Sequence, residues 1–499
     1  MSDIQNGLSQ STGLTRNLGF LGLAATGICS MLGAAINVVP FMIQRNVPGI
    51  GSYVLEAYLL AAVPAIFAAI CYAILASAMP RAGGSYVYAS RSLNPYLGFI
   101  ASFAQWFGLS IAIGVVSYIL ITFLRDIAFA LNWNETVAML ETGFVRVGLA
   151  LIFLWLFVYI NLRGVQLYER TLVPMMFAMF FLGGIVIVAG YSFTHVEFQA
   201  AVLERDSVEI ATAESPFDFT IFLAAAAVLF SSFIGFDSIA QAGGEAKNPG
   251  RALPAAIITA IVTVGLFYFL FTGAVYHAVP WNFIAEKALI QDVTAPGLLS
   301  YLLPAGWAVA IVGGAAIALI NDLPAMLLAV SRLMFAWAED GIFPRKLAKV
   351  HKKWHTPHFA IILSGVMASI GILGSHFAGD FFLGIDILVT SMLVNFLLMC
   401  LSVLMLPKTN KEIAKKVEVV RSRKLQIIVS AAGAILLSGF LIIHLVKDIR
   451  AEVDAWYFHS TPIWLIVMAI ASVIYLREMG KLKKSGVDVK KLFSELPPE

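Results

Sequence analysis

Long stretches of apolar residues, separated by short polar segments, recur along the whole chain. Many of them are close to the ~20 residues that an α-helix needs to cross a bilayer. The strands of a membrane β-barrel would instead alternate apolar and polar residues in segments of about ten. The pattern therefore predicts an all-α polytopic membrane protein with twelve spans, numbered in chain order at roughly residues 18–44, 53–79, 96–124, 144–162, 171–192, 218–242, 253–279, 305–336, 358–378, 381–406, 425–446 and 462–477.

Composition indicates the same class of protein. Of the 499 residues, 60% are hydrophobic and only 13% are charged, whereas a soluble protein of this length needs far more polar surface. Residues 1–17 are polar and lack the features of a secretory signal, so we expect the first span to direct insertion. The three cysteines lie inside apolar runs and are interpreted as buried free thiols. No motif for a metal, a phosphate, a nucleic acid or a catalytic pair is visible, and we expect no cofactor and no enzyme activity.

Lys and Arg are distributed unequally between the two sides of the predicted membrane. With twelve spans, 26 of the 33 fall on the side that holds both termini and 7 fall on the other side. Because Lys and Arg near spans concentrate in the cytoplasm, both termini are predicted to be cytoplasmic and the protein to lie in the cell membrane. An error of one span would destroy this asymmetry. The basic linker 407–424 is expected to lie in water beside anionic lipid.

Spans 1 and 6 carry small residues at mid-depth, where a plain span would carry Leu. Span 1 has Gly27, Ser30 and Gly33, and span 6 has Ser231, Ser232 and Gly235. The two are five spans apart, so two five-span halves would have opposite topology. Paired interruptions of this kind point to a transporter site built from inverted repeats. The alternative interpretation is that these residues only let neighbouring helices approach closely.

Four stretches of the chain resemble the amino acid/polyamine/organocation transporter superfamily. They are "YAILASAMPRAGGSYVY" (72–88), "INLRGV" (160–165), "FIGFDSIAQAGGEAKNPGRALPAAI" (233–257) and "SRLMFAWAEDGIFPRKLAKVHKKWHTP" (331–357). The resemblance implies a leucine-transporter-type fold, in which two inverted five-helix repeats hold a substrate site where spans 1 and 6 are unwound. The division expected on this basis is an N-terminal segment, a first repeat, an outer loop, a second repeat, a basic linker, spans 11 and 12 and a cytoplasmic tail, at 1–17, 18–192, 193–217, 218–406, 407–424, 425–477 and 478–499.

The chain also departs from the family's pattern. At the break of span 1 it reads Gly33-Ala34-Ala35, where Gly-Ser-Gly or Gly-Ala-Gly is usual, and Ile74 stands where a glutamate is frequent in span 2. Some proton-coupled members place a lysine in span 5, but residues 171–191 contain none. These departures leave the substrate and the coupling ion open.

An amino acid fits the two predicted breaks chemically. If span 1 unwinds between Ser30 and Ile36, its freed N–H groups and the helix dipole would hold an α-carboxylate. Carbonyl groups of Ser231 to Gly235 would accept hydrogen bonds from the α-ammonium, and Phe233 resembles the aromatic that closes over substrate in family members. We expect the pocket between spans 1, 3, 6, 8 and 10, with substrate bound by Ser30, Gly33, Ala34, Ala35, Ile36, Gln105, Phe230, Ser231, Ser232, Phe233 and Gly235.

Three acidic residues are candidates for proton coupling or gating: Asp237, Asp322 and Glu245. An ionised carboxylate at mid-membrane is costly, so Asp237 in span 6 must line a wet cavity or be protonated. The other interpretation of Asp237 and of Asp322 in span 8 is a structural acid bonded to a neighbouring helix. Glu245 follows span 6. The resemblance suggests that it belongs to a cytoplasmic gate, and the other interpretation is a solvated helix end.

These features predict a secondary transporter that moves amino acids by alternating access. Proton coupling is expected because residues 315–330 of span 8 have no Ser or Thr hydroxyl for a sodium site. The alternatives are a polyamine or organic-amine transporter or exchanger of the same fold and, less favoured, an amino-acid sensor without transport. Expected partners are the substrate, protons and membrane lipid, whereas the oligomeric state stays open.

Overall fold

The computed structural model describes residues 14–131, 133–211, 214–378, 381–453 and 455–497. Residues 1–13 of the expected N-terminal segment lie outside this description, and so do the side chains of Ala34 and Ala35, two predicted site residues. Within the described residues, twelve helical segments are long and apolar enough to cross a membrane. The all-α polytopic fold and its twelve spans are therefore confirmed.

Spans 1 and 6 are each divided, and we call their two parts 1a, 1b, 6a and 6b. The spans in chain order are Phe20–Leu32 (1a), Ala34–Asn46 (1b), Val54–Ala78, Pro95–Ala130, Gly143–Leu162, Val165–Ser192, Phe219–Leu229 (6a), Asp237–Gln241 (6b), Pro249–Ala278, Ala305–Glu339, His358–Ala378, Phe381–Thr409, Arg423–Arg450 and Ser460–Lys484. Shorter helices between and after them are Gly84–Ser92, Asn134–Glu141, His195–Asp206, Trp281–Ile290, Ala295–Leu299, Lys411–Ala414 and Val489–Ser494. Several spans extend beyond the predicted limits, most clearly span 12, because polar residues continue the helix past the apolar core.

The spans form an inner and an outer group. In their most apolar stretches, 100% of residues are buried within the protein for span 1 and 83% for span 8, against 22% for spans 4 and 12. Large exposed side chains on the outer spans, such as Phe181 and Ile435, have the apolar character of a lipid-facing surface. Span 1 is therefore surrounded by protein, which is where unpaired backbone groups can be tolerated in a membrane.

Both described ends of the chain lie at one face of the bundle, which we call the terminal face. Leu18 pairs with Ala246, and Ala82 pairs with Ala242, as isolated β-bridges. Near the other end of the chain, the carbonyl of Pro497 accepts a hydrogen bond from Arg81 Nε at 2.9 Å. Spans 1a and 6b occupy this half of the bundle, and spans 1b and 6a occupy the opposite half.

Candidate functional site

The interruptions of spans 1 and 6 cross in direct contact. Span 1 breaks at Gly33, where φ is −54° and ψ is −118°. Gly235 has φ of +140°, which side chains rarely allow, and a Cβ there would lie 2.5 Å from the carbonyl carbon of Ser30. The break of span 1 is narrower than predicted, since one residue rather than 30–36 leaves the helix. Span 6 is irregular from Phe230 to Phe236, close to the predicted place.

Side chains satisfy part of the backbone that these breaks expose. The hydroxyl of Tyr268 in span 7 donates to the Met31 carbonyl at 2.7 Å, two residues before the break. Across the crossing, the hydroxyl oxygens of Ser30 and Ser238 are 3.2 Å apart. Hydroxyl groups can rotate to donate or accept, so they support an irregular backbone without fixing its shape.

A small cavity of about 60 Å³ lies beside the crossing. Its wall comes from spans 1, 3, 6, 8 and 10, the five that were expected to enclose a substrate. Polar atoms come from Ser30, Ser231 and Asp322, and the remaining lining residues are Met31, Val39, Ala112, Val115, Val116, Ile234, Met326, Gly384, Ile385 and Leu388. The space holds only a few water molecules. A larger open groove on the terminal face, between Phe20 and Arg251, is remote from this crossing.

Asp322 lies directly against the break of span 1. A Cβ on Gly33 would lie 2.6 Å from the Asp322 carboxyl carbon, so no other residue fits there without moving the acid. Asp322 is 3% exposed, and within the described part of the chain its Oδ1 has no hydrogen-bond partner. The hydroxyl oxygen of Ser231 is likewise buried without a partner. Two residues that line the cavity therefore each carry an unsatisfied oxygen, one of them on an acid.

Asp237 is fully buried behind the crossing and does not line the cavity. Gln105 Nε2 of span 3 donates to its Oδ2, and the Gly235 amide donates to its Oδ1 at 3.0 Å. Gln241 Nε2 reaches the Asp237 backbone carbonyl at 3.3 Å. Asp237 thus links the break of span 6 to span 3, in agreement with the interpretation of an acid bonded to a neighbouring helix, and its coupling role stays a prediction.

Several predicted substrate-binding residues lie around the crossing rather than on the cavity wall. Ser232 bonds to Tyr58 of span 2, and Phe233 packs against the rings of Tyr58 and Tyr268 at 5.7 and 5.8 Å. Phe230 packs on Phe396 and Phe440, and Ile36 is 2% exposed. Spacing along span 6 could not decide which side chains face the cavity, because the 3₁₀ turn Phe230–Phe233 rotates them away from regular helical positions.

Glu245 is buried at the terminal face rather than at a solvated helix end. It forms two hydrogen bonds with Arg332 of span 8, from Nε at 3.1 Å and from Nη2 at 2.6 Å. Both side chains are 1% exposed. The Glu245 carbonyl also accepts from the Leu18 amide at 2.9 Å. Glu245 therefore ties together span 8 and the segment before span 1, and Arg332, one of the 26 Lys and Arg residues assigned to the side of the termini, is buried.

A second buried ion pair, absent from the predicted site, lies nearby. Arg91, in the helix after span 2, donates to both carboxylate oxygens of Asp340 at 2.5 and 2.9 Å, and Tyr86 donates to the same acid at 2.7 Å. Burial alone would lower the pKa of the Arg91 guanidinium, but Asp340 outweighs it and the pKa rises. Burial and Asp340 raise the pKa of Tyr86, so its hydroxyl stays protonated. Tyr86 and Asp340 lie in motif stretches quoted above, and Arg91 follows the first of these by three residues. A single charged residue in a helix of small and aromatic residues is the signal that could have revealed the pair.

Comparisons with known proteins agree with this architecture. The family model described as amino acid permease matches residues 18–483. The chain is 25% identical to the methylthioribose transporter of Bacillus subtilis (strain 168), over 95% of this chain and 96% of that protein. It is 26% identical to the branched-chain amino acid permease BcaP of the same organism, over 97% and 98%, and 27% identical to cationic amino acid transporter 4 of Mus musculus, over 72% and 56%. The chain therefore belongs to the amino acid permease family, whose members are membrane transporters and not enzymes.

Proposed function

We propose that the protein is a secondary active transporter that moves amino acids across the cell membrane by alternating access. The observation that carries this proposal is the contact between two broken spans beside a small, partly polar cavity. Broken helices at mid-membrane supply backbone donors and acceptors for a charged substrate, because their groups are not used within the helix. The proposal extends to a cytoplasmic location of both termini, on the charge asymmetry of the loops.

The terminal face supplies the elements of a gate. Buried ion pairs join Glu245 to Arg332 and Arg91 to Asp340, and β-bridges join Leu18 to Ala246 and Ala82 to Ala242. These contacts connect spans 1, 6 and 8 with the helix after span 2. Opening a path to the cavity from this face requires them to separate together, which is the behaviour that alternating access needs.

The names of the relatives do not decide between two classes of substrate. A branched-chain amino acid permease and a cationic amino acid transporter favour amino acids, and a methylthioribose transporter shows that related chains carry other solutes. A polyamine or organic-amine exchanger is the second candidate. The acid in the cavity, Asp322, is the observation that favours it, since an amine carries a positive charge and need carry no carboxylate.

Uptake by purified protein in liposomes tests the proposal. Radiolabelled amino acids should accumulate above the outside concentration when a proton gradient is imposed, and unlabelled substrate should exchange without one. A sensor would bind without flux. Uptake of amines alone, with no amino acid transported, would assign the second candidate instead.

A further inference from the structure

The residues that line the central cavity include an acid and no base. Asp322 is the ionisable residue among those that line it, and no lining residue is basic. The other lining side chains are aliphatic or methionine, apart from the hydroxyl groups of Ser30 and Ser231. A buried carboxylate in such surroundings needs a positive partner or a proton, because desolvation strongly disfavours an isolated charge.

Two residues that line this cavity each carry an oxygen with no partner within the described residues. Oδ1 of Asp322 and the hydroxyl oxygen of Ser231 are both buried and unbonded, although the great majority of buried polar atoms in proteins are satisfied. The two residues come from spans 8 and 6 and line the same space. An ammonium group has three N–H donors and no acceptor, which matches a set of acceptors around a small cavity.

The position of Asp322 also fits the layout of an amino acid. The acid lies against Gly33, at the amino end of span 1b, where free N–H groups and the helix dipole favour an anion. In an amino acid the ammonium and the carboxylate are attached to the same carbon. A carboxylate bound at the start of span 1b therefore brings the ammonium next to Asp322.

We propose that Asp322 is the acceptor for the substrate ammonium group, assisted by Ser231, and that the aliphatic wall selects an amino acid with a compact apolar side chain. Met31, Val116, Ile234 and Leu388 would surround that side chain. They offer no partner for the guanidinium or ammonium of a long basic side chain, nor for a second carboxylate. This inference rests on the proposed function and specifies its substrate class.

The test compares amino acids with their 2-hydroxy acids, which replace the ammonium by a neutral hydroxyl. L-valine, L-leucine and L-methionine are measured against the matching hydroxy acids as inhibitors of uptake in liposomes. Hydrogen bonds to a charged group are worth about 10- to 100-fold in affinity, so wild type should prefer the amino acids by about that factor. In Asp322→Asn the preference should fall to within about threefold, because the mutant has lost the charge.

The control variant is Glu56→Gln, which removes one carboxylate from an exposed position on span 2 and should keep the wild-type preference. Wild type that accepts both classes of compound equally overturns the inference without any mutant, so a misfolded Asp322→Asn leaves it testable. A preference that survives in folded Asp322→Asn shows that this acid does not bind the ammonium group, and it also overturns the inference. L-lysine or L-glutamate as the best substrate contradicts the selectivity while leaving amino acid transport intact, and absence of all amino acid uptake contradicts the proposed function itself.

Discussion

At the scale of single residues, two glycines permit the contact on which the site depends. Gly235 has a backbone conformation that disfavours other residues, and a Cβ there would lie 2.5 Å from the backbone carbonyl of Ser30. Gly33 has no side chain, and the Asp322 carboxyl group occupies the space that a Cβ there would need. The sequence pattern pointed to both glycines, because small residues at mid-depth are unusual in a plain span.

Gly33→Leu is expected to abolish substrate binding while the protein still inserts and folds. The added side chain would occupy the volume of the Asp322 carboxyl and push the acid into the cavity. Binding can be followed as thermal stabilisation of the purified protein by amino acids, since a ligand of the folded state raises its melting temperature.

Gly439→Leu in span 11 is the matched control, because a Cβ at Gly439 meets nothing within 4 Å. It should bind substrate like wild type. Equal stabilisation of Gly33→Leu and Gly439→Leu by the same amino acid would show that the break of span 1 has no part in binding.

Asp237→Asn is expected to keep substrate binding and exchange but to lose the pH dependence of transport. The asparagine oxygen can still accept from the Gly235 amide, so the break of span 6 is kept, whereas the side chain can no longer gain or lose a proton. Uptake is compared with wild type over roughly pH 5 to 8, a range that brackets a carboxyl group shifted by burial.

Glu56→Gln should retain the wild-type pH profile in the same assay, since its carboxylate is exposed. Should Asp237→Asn and wild type give superimposable profiles, Asp237 would be a structural acid held by Gln105, and the proton would have to be carried elsewhere.

At the scale of helices, buried ion pairs hold elements together that are distant in sequence. Arg332 of span 8 meets Glu245 after span 6, and Asp340 after span 8 meets Arg91 after span 2. The C-terminal helix also contacts this cluster. The ring centroid of Phe493 lies 5.0 Å from the guanidinium carbon of Arg91, and the backbone carbonyl of Glu495 accepts a hydrogen bond from Arg91 Nε at 3.1 Å. Removing one member of such a pair leaves its partner buried and unpaired.

Arg332→Met is expected to lower the free energy of unfolding by about 3–5 kcal/mol, because Glu245 would stay buried without a partner. Adding Glu245→Leu should restore most of that loss, since two apolar side chains can replace a buried pair. Both are measured by denaturant unfolding in detergent, with substrate flux recorded in parallel.

The exposed pair of Glu412 and Lys415 serves as the comparison, with 79% and 72% of the side chains accessible. Glu412→Gln should leave stability unchanged, because exposed pairs are screened by water and salt. A double variant of Arg332 and Glu245 that is no more stable than Arg332→Met would show that the unpaired Glu245 does not cause the loss of stability.

At the scale of the whole molecule, the prediction concerns the driving ion. Uptake into liposomes should follow an imposed proton gradient and ignore an imposed sodium gradient. Span 8 offers no Ser or Thr between residues 315 and 330 whose hydroxyl group could coordinate sodium beside span 1. The same vesicles, loaded with sodium and potassium buffers at equal pH, provide the control. Uptake that rises with inward sodium at constant pH would overturn proton coupling.

Much of the fold could be predicted because a bilayer imposes simple rules. Each span must be long, apolar and internally hydrogen-bonded, so the number of spans and the two interrupted ones can be recognised in sequence. The limits of span 12 were less predictable, since helices continue beyond the apolar region into polar residues that hydropathy treats as loop.

The candidate site was predictable only in part. Ser30, Ser231 and Asp322 line the cavity, whereas Gln105, Phe230, Ser232 and Phe233 make their contacts elsewhere. Orientation around an irregular stretch depends on a few backbone dihedral angles, and these are set by neighbouring spans. The acidic partners of Arg91 and Arg332 could not be predicted either, because a sequence does not show which acid will fold against a base.

The sequence by itself determined that the chain spans a membrane twelve times, which two spans break, and which family it belongs to. These properties follow from hydropathy, small residues and motifs, each of which acts locally along the chain. Only the tertiary structure decided that Gly33 packs against Asp322, that Glu245 is buried against Arg332, and that Asp322 and Ser231, which line one cavity, each keep an oxygen unbonded. These are contacts between residues far apart in sequence, and their geometry is set by how the spans pack.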